Sequence, residues 1–519
     1  GLASFYFARR DNLENEDGAR VAPIVRNDLY GRLDIYSSFD DITEENVLEE
    51  LNSAMVYHLQ NMFQEEFLYW YRRGVQPILG RKKDIREDIL NIVQENHAEE
   101  FCAFKNGYFL QQPVNYTARR KGVQSKLKKL NEYLYRSGKH TADNKTADWF
   151  HTVGKGVTYI EPSEDPEVPF KAYALDPRSS FVVYSLRPGN KPIMGVNFVV
   201  DNGASKFDVF TDRFVFHLSG TLVGDMATPM KNHNFMATAT TLDSTEPNVL
   251  GRIPIIEYRY NSVNMSCFEA AIPLLDEINN IVSNSCDGVE QFIQSLAIAV
   301  NCEFPENTTI NDIRKAGMIV LRSIGENKAD FKVLAEQLDQ TQTKVLVDRL
   351  YDQALRVSAM PARSSGQSTQ STTGAAVLAN FGWYQADCAA RNTEDLYHES
   401  NRQFDAIVVD ILKRKGLLSI DLNDFEPQFS HGETANIQSK AQAYQTLMAA
   451  GMHPELAMAK SGISNDPVKD AAMSEKYIEM IWGDPSAAAK SEEQGNGQGE
   501  AEIIEDDHNN GENETGGVA

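Results

Sequence analysis

Hydrophobic and polar positions along the first half of the chain predict two kinds of element. Apolar residues recur at three- and four-residue steps over 41–72, which predicts a long amphipathic helix capped by Asp41 or Thr43. A second helix is expected over 84–94. Residues 155–260 instead carry short apolar runs separated by Gly, Pro, Asn and Asp, and this pattern predicts strands. The strand-like runs are 156–160, 181–184, 195–200, 207–210, 213–217 and 253–258.

Helical spacing returns after this β-rich stretch. Apolar positions over 266–296 predict a helix of about 45 Å, and a second helix is expected over 338–360, where Pro361 ends it. Between these helices lies a short mixed unit, with strands expected at 297–304 and 317–321 and a small helix at 310–316.

The C-terminal part begins with a polar loop, 361–374, in which no aliphatic residue is larger than alanine. A very long helix is expected over 375–414, with Gly382 as a possible kink and Gly416 as its end. A strand and three helices are then expected at 420–429, 433–450, 454–460 and 467–481.

Charge is concentrated at the C-terminal end of the chain. The 519 residues carry a net charge of −24, and residues 486–519 hold nine acids against Lys490 alone, which leaves −16 for the rest. This tail has almost nothing to bury, so we expect it to be disordered. The acidic balance is unlike that of a general nucleic-acid binder, because affinity for phosphate requires clustered Lys and Arg. Any contact with DNA should therefore be weak.

Signals for other protein classes are missing from the sequence. Residues 1–5 lack the charged-then-apolar pattern of a secretion signal, and there is no apolar run long enough for a membrane span. The five cysteines form no C-x-x-C pair, so we expect reduced thiols, no metal site and no cofactor. The chain has no phosphate-binding G-x-x-x-x-G-K-[ST] loop, no G-x-S-x-G elbow and no H-E-x-x-H pair, and we therefore expect no enzyme.

Two groups of polar and charged residues are candidates for function. One is the 361–374 loop, because loops of this length between strong helices are usually functional or disordered. Its candidate residues are Arg363, Ser364, Ser365, Gln367, Ser368, Thr369, Gln370 and Thr372. The other is a set of cations in the short mixed unit: Arg314, Lys315, Arg322 and Lys328. Plain disorder of the loop, an intersubunit salt bridge at Arg363 and a solvated cationic face remain as alternatives.

The order of the elements and six local stretches resemble the portal proteins of long-tailed phages of the SPP1 type, over about residues 45–482. Each stretch is unspecific alone, and their shared order carries the resemblance. Gln111 and Gln112 depart from the pattern, because they stand where a family strand usually has glycine. The stretches are 70–79 with 106–114, 153–159 with 175–177, 251–258 leading into 266–293, 358–361, the long helix with Phe381, Trp383 and Tyr384, and 437–451 with 463–467 and Glu475.

The resemblance implies an α+β portal fold that assembles as a ring of about twelve subunits around an axial tunnel. It implies a mixed α/β wing, a helical stem, a small α/β clip and a helical crown. The expected boundaries are 1–263 for the wing, 264–296 and 338–360 for the stem helices, 297–337 for the clip, 361–374 for the tunnel loop, 375–429 for the long helix and a returning wing strand, 430–485 for the crown and 486–519 for the acidic tail.

The function implied is a channel at one capsid vertex for packaging, retention and ejection of double-stranded DNA. The expected partners are further copies of the chain, DNA in transient and sequence-independent contact, the terminase large subunit, a head-completion adaptor, and the major capsid and scaffolding proteins, with no membrane. Assembly is expected in the host cytoplasm, and the final location is the virion. The alternative is a viral structural or scaffold protein that has no DNA channel.

Overall fold

A computed structural model gives the fold. It describes residues 31–83, 88–110, 112–120, 122–201, 204–223, 236–293, 296–300, 302–303, 322–323, 330–334, 340–361, 382–429, 437–464, 467 and 469–474. The chain divides into two compact units between Asn436 and Ile437. Helices and sheets both contribute, so the predicted α+β class is confirmed.

The first unit opens with the short strand β1 (Ile35–Ser37) and the helix α1 (Val47–Arg72). The helix predicted over 41–72 is confirmed, but the predicted cap is wrong, because Asn46 precedes its first residue. The Asn46 side chain accepts the Thr43 N–H at 2.7 Å and donates to the Asp41 carbonyl at 3.1 Å. These bonds close a turn, so the helix starts later than its hydrophobic pattern.

The helix predicted over 84–94 is wrong over 88–94, which form no regular element; 84–87 lie outside the described residues. The backbone N–H groups of Asn91 and Val93 bond instead to side chains of a later helix, as shown below. A helix that was not predicted, α2 (His97–Phe109), follows directly.

The next elements include two strands of a small three-stranded sheet. They are β2 (Asn115–Ala118), α3 (Gln124–Arg136), α4 (Lys139–Val153), β3 (Lys155–Pro162) and β4 (Phe170–Leu175). Apolar side chains of α3 and α4 are buried together with Phe170. Strand β4 was not predicted, since Lys171 and Tyr173 interrupt its apolar run.

A six-stranded sheet contains four of the predicted strands. It has the order β1-β5-β6-β7-β8-β9, antiparallel except for the β1–β5 pair. Strand β10 (Ile255–Arg259) instead joins β3 and β4. The Thr-rich strand β9 was missed. The strands are β5 (Ser180–Ser185), β6 (Pro192–Asp201), β7 (Ala204–Phe210), β8 (Phe214–Val223) and β9 (Met236–Pro247).

Two helices with short strands between them follow. The predicted helices are confirmed as α5 (Ile272–Ile293) and α6 (Gln340–Val357). The short strands are β11 (Leu296–Val300), β12 (Cys302–Glu303), β13 (Arg322–Ser323) and β14 (Asp330–Leu334). The helix predicted at 310–316 and the strand predicted at 317–321 lie outside the described residues.

The first unit ends with the long helix α7 (Trp383–Arg414) and the strand β15 (Phe425–Gln428), which pairs with β2. Gly382 is not a kink within the described helix. It stands immediately before Trp383 with φ 74°, a left-handed conformation that glycine adopts at little cost. Gly416, with φ 67°, follows the helix end as predicted.

The second unit contains α8 (Ile437–Ala449) and α9 (Pro454–Ser461), and residues 469–474 are also helical. These correspond to the predicted helices at 433–450, 454–460 and 467–481. Within the described ranges, no helix combines the length and the apolar character needed to cross a membrane.

Candidate functional site

Helices α5 and α6 form an antiparallel hairpin. Strands β11 and β14, which connect to them, pair antiparallel from Leu296 opposite Leu334 to Val300 opposite Asp330. At the other end, the C-terminal part of α6 lies in the same buried cluster as the start of α5. The helices of 22 and 18 residues are about 33 and 27 Å long, and the hairpin has a base in this buried cluster and a tip at the strands.

The base of the hairpin is anchored in an apolar cluster. Tyr71 of α1 stacks on Phe268 with ring centroids 5.8 Å apart and donates to Asp276 of α5 at 2.9 Å. The buried members come from α1, α2, both hairpin helices and the residues that flank the hairpin, and they include Phe67, Leu68, Phe101, Cys102, Cys267, Leu275, Ile278, Ala354, Leu355 and Met360. Both hairpin helices are therefore anchored at their base against α1 and α2.

A fully buried ion pair precedes the first hairpin helix. Arg32 donates to Glu269 at 2.6 Å, and neither side chain has any exposed surface. Arg32 also donates to the Val153 carbonyl at 3.0 Å, while the Glu269 carboxylate accepts the backbone N–H of Ser266 at 2.8 Å. The pair thus joins the N-terminal segment, the end of α4 and the start of the hairpin.

Close backbone contact occurs at the same place. Gly154 ends α4 with φ 95°, and a Cβ atom there would lie 1.9 Å from the Asn264 carbonyl oxygen. Any other residue would push the chain before the hairpin away from α4. Glycine is therefore required both by the left-handed conformation and by the space.

An extended segment, residues 88–96, runs along α5, and we call it the strap. Its backbone N–H groups at 91, 93 and 95 donate to side chains spaced four residues apart on α5. The acceptors and distances are Asp287 at 2.7 Å, Ser283 at 3.0 Å and Asn279 at 2.7 Å. This spacing places all three side chains on one face of α5. Their oxygens accept the backbone N–H groups of the strap, as the carbonyl groups of a neighbouring strand would in a sheet.

Asp287 is the charged centre of this contact. It lies 2.7 Å from Arg81 and 2.6 Å from Lys83. Burial raises the pKa of Asp287, but hydrogen bonds from Lys83, the Asn91 backbone and Arg81 outweigh it and lower the pKa to about 2. The carboxylate therefore remains ionised at any pH near neutrality.

Charge differs between the two hairpin helices. Helix α5 carries four acids and no Lys or Arg, while α6 carries three cations and two acids. Lys344, Arg349 and Arg356 of α6 are exposed, and they form no ion pair with any residue that the structure describes. Glu277 of α5 is likewise exposed and without an ion pair among those residues.

A cleft of about 610 Å³ lies beside α1, α2 and α4. Arg72, on its wall, bonds Glu99 at 2.6 Å and Asp148 at 2.7 Å, and Arg178 lies over the Tyr69 ring nearby. Arg72 is thus paired with two carboxylates, as is typical of a network that stabilises the fold. No group of three or more His, Cys, Asp or Glu suited to a metal ion occurs among the described residues.

The predicted site residues fall largely outside the described residues. This holds for the loop residues Arg363 to Thr372 and for Arg314, Lys315 and Lys328. Arg322 lies in β13, opposite Glu303 of β12. The roles assigned to these residues therefore stay predictions.

Sequence reasoning missed the strap and the buried pair. The four-residue spacing of Asn279, Ser283 and Asp287 on one face of α5 was a usable signal for a polar contact. The sequence carried no signal for the Arg32–Glu269 pair, because the two residues are 237 positions apart in the chain.

Comparison with known proteins identifies the family of the chain. The family described as phage portal protein, SPP1 Gp6-like, matches residues 50–481. The chain belongs to this portal family. The portal protein of Bacillus phage SPP1 is 23% identical over 506 residues, which cover 92% of each chain. The resemblance predicted from the sequence is thus confirmed, and the protein is a phage portal protein of the capsid that acts in DNA packaging. The scaffold alternative is not favoured.

Proposed function

We propose that this portal protein assembles as a ring of about twelve copies at one capsid vertex. DNA would be packaged, retained and ejected through an axial channel walled by the α5–α6 hairpins. The observation that carries the proposal is the hairpin itself. Its base lies in the buried cluster shared with α1 and α2, while α6 exposes Val345 and Leu346 and three cations that form no ion pair among the described residues.

Weak DNA contact is an expected property of such a channel. Each Lys or Arg that pairs with a phosphate adds affinity that must be broken as the duplex advances. Helix α5, with four acids and no cation, offers no such contact. A wall that includes α5 would therefore let the duplex slide.

The remaining parts of the proposal rest on the family and the sequence. The 361–374 loop is proposed as the tunnel loop, with Arg363 and its short polar residues making brief contacts to phosphates. Residues 297–337 are proposed as the clip, which would meet the terminase large subunit first and the head-completion adaptor later. Major capsid and scaffolding proteins would surround the ring, and assembly would take place in the host cytoplasm.

Stiffening the loop tests the channel. A variant with Ser365→Pro and Ser368→Pro should still form rings but yield capsids with much less DNA, because a cyclic ring and a helical duplex do not share symmetry and the loop must shift as DNA passes. Ser365→Ala with Ser368→Ala is the matched control, since it removes the same hydroxyls without restricting the backbone. Arg363→Glu should do less harm, because one charge per subunit is a small effect at cellular salt.

The measurement is packaged DNA per capsid. Full heads from the proline variant would show that the loop is a passive linker and that its assignment to the tunnel is wrong.

A further inference from the structure

We propose that Cys102 and Cys267 form a reversible thiol–disulfide site that, when oxidised, links α2 covalently to the base of the hairpin. The two sulfur atoms lie 3.6 Å apart, although the residues are 165 positions apart in the chain. The chemistry rests on this contact. Only the place where oxidation would occur, a phage particle outside its host cell, rests on the proposed function.

The fold holds both thiols in position. Cys102 of α2 is fully buried and Cys267 is 5% exposed, and both belong to the buried cluster at the base of the hairpin. The His151 carbonyl oxygen, near the end of α4, accepts the Cys267 N–H at 2.9 Å and the Ser266 hydroxyl at 3.0 Å. The Cys102 sulfur lies 4.0 Å from the same oxygen. One backbone group therefore contacts both sides of the thiol pair.

A bond between the two sulfurs needs little movement. A disulfide has an S–S distance of about 2.0 Å, so the sulfurs must approach by about 1.6 Å from their present contact. Both side chains can share this approach by turning about their Cα–Cβ bonds. A structural zinc site would need four ligands, and no group of three or more suitable side chains occurs in the described ranges. The pair therefore favours a bond between its own sulfurs.

The oxidation removes two electrons from the pair, and hydrogen peroxide is an oxidant small enough for a buried site. One thiol gives up its proton while its sulfur attacks a peroxide oxygen, which breaks the O–O bond, forms a sulfenic acid and releases water. The other sulfur then attacks the sulfenic sulfur. The S–S bond forms, the S–O bond breaks, and the hydroxyl leaves as a second water with the proton of the second thiol. Two thiols and one peroxide thus give one disulfide and two waters.

Burial determines when the site reacts. It raises the pKa of the Cys102 thiol, and a thiol that keeps its proton is a poor nucleophile. Oxidation should therefore be slower at this pair than at the partly exposed Cys388. Thiols stay reduced in a cytoplasm, whereas disulfides form and persist in oxidising surroundings. The pair would thus be reduced while the portal assembles and linked in the released particle.

The link would lock distant parts of the first unit together. The stretch between the two cysteines contains α3, α4 and the strands from β2 to β10. A bridge would close one long loop around this stretch, and long closed loops restrict the unfolded chain most. Since Cys267 lies just before α5, the same bridge would tie the start of the hairpin to α2.

Peptide mapping of the full-length protein tests the site. Fully reduced protein, freed of reductant, is treated with hydrogen peroxide until well after Cys388 has reacted, and the remaining thiols are blocked before digestion. We expect a peptide pair linked through Cys102 and Cys267, the loss of two of the five thiols for each link, and separation of the pair by a reductant. Recovery of both cysteines as free thiols, or as separate sulfinic acids, would overturn the inference.

Urea unfolding tests the lock. The oxidised protein should unfold at a higher urea midpoint than the reduced protein, and a reductant should reverse the shift. Cys267→Ser should show no shift on oxidation, whereas Cys388→Ser, the matched control at a partly exposed cysteine, should keep it. If Cys267→Ser fails to fold, mapping of the unmodified chain still decides the case.

A midpoint that does not rise on oxidation of the unmodified chain would show that the link locks nothing. Neither measurement requires rings, so a missing link would overturn this inference and leave the proposed function intact. Failure of the reduced protein to form rings would instead overturn the proposed function.

Discussion

Replacing Glu269 by glutamine should destabilise the first compact unit and loosen the hairpin at its base. The change keeps the size of the side chain and removes only its charge. Arg32 would keep its bonds to the Val153 carbonyl and to Gln64, but its guanidinium would lose the one carboxylate it touches at 2.6 Å. No solvent reaches this position, because both side chains are fully buried.

The magnitude follows from that burial. Removing one partner of a buried pair leaves an uncompensated charge and costs about 3–5 kcal/mol. The Arg252–Asp410 pair is a matched control, because it has the same 2.6 Å separation while its side chains are 50% and 36% exposed. Asp410→Asn should cost below about 1 kcal/mol, since surface pairs contribute little.

Urea unfolding at a fixed protein concentration measures both changes. Tryptophan fluorescence is a suitable probe, because Trp149 packs beside the base cluster. We expect the first unfolding transition of Glu269→Gln to move to clearly lower urea and that of Asp410→Asn to stay within error of the unmodified protein. Equal shifts in the two variants would refute the argument from burial.

Four further outcomes are expected. Burial raises the pKa of Asp405 to about 7, so the folded carboxyl keeps its proton after the unfolded one has lost it near 3.8. As the pH rises from about 4 to 7, Asp405→Asn should therefore gain stability relative to the unmodified protein, by on the order of 4 kcal/mol at most. Urea midpoints measure this difference, and a difference that stays constant with pH would contradict the shift. Cys102 and Cys267 are buried and burial raises the pKa of Cys102, so peptide mapping should find both unlabelled by a thiol reagent under conditions that label the partly exposed Cys388; early labelling of Cys102 would disprove the packing. Reversing Arg314, Lys315, Arg322 and Lys328 should weaken packaging or adaptor docking in rings that still form, and normal packaging and tail attachment would mean that these cations are only a solvated face. Truncation after Trp482 should leave ring formation intact, because the acidic tail has no core-forming pattern; loss of rings in electron micrographs would show that it packs.

The parts of the fold that were predictable from sequence are those with a regular hydrophobic period. Helices α1, α5, α6 and α7 each bury one stripe, so their spacing identified them. Four strands of the large sheet were identified from short apolar runs between turn residues, although β5 is buried at every position and only β7 alternates clearly. Strand β9 was missed because most of its positions are exposed and polar. Because β9 lies at the edge of the sheet, burial does not require its residues to alternate between apolar and polar.

The errors have physical causes that the local sequence does not contain. The strap carries Ile89 and Ile92 at helical spacing, yet its N–H groups bond side chains almost 200 residues away, and this satisfies them without a helix. Gly382 fits the interior of a helix as well as its start, and only its positive φ distinguishes the two. The Arg32–Glu269 pair joins distant segments, so no periodicity could reveal it.

The most direct test of the account is electron microscopy of the purified protein in negative stain. The account predicts rings of about twelve subunits with a central hole, because the proposed channel is walled by the hairpins of neighbouring copies. A protein that stays monomeric under every condition tried would contradict it.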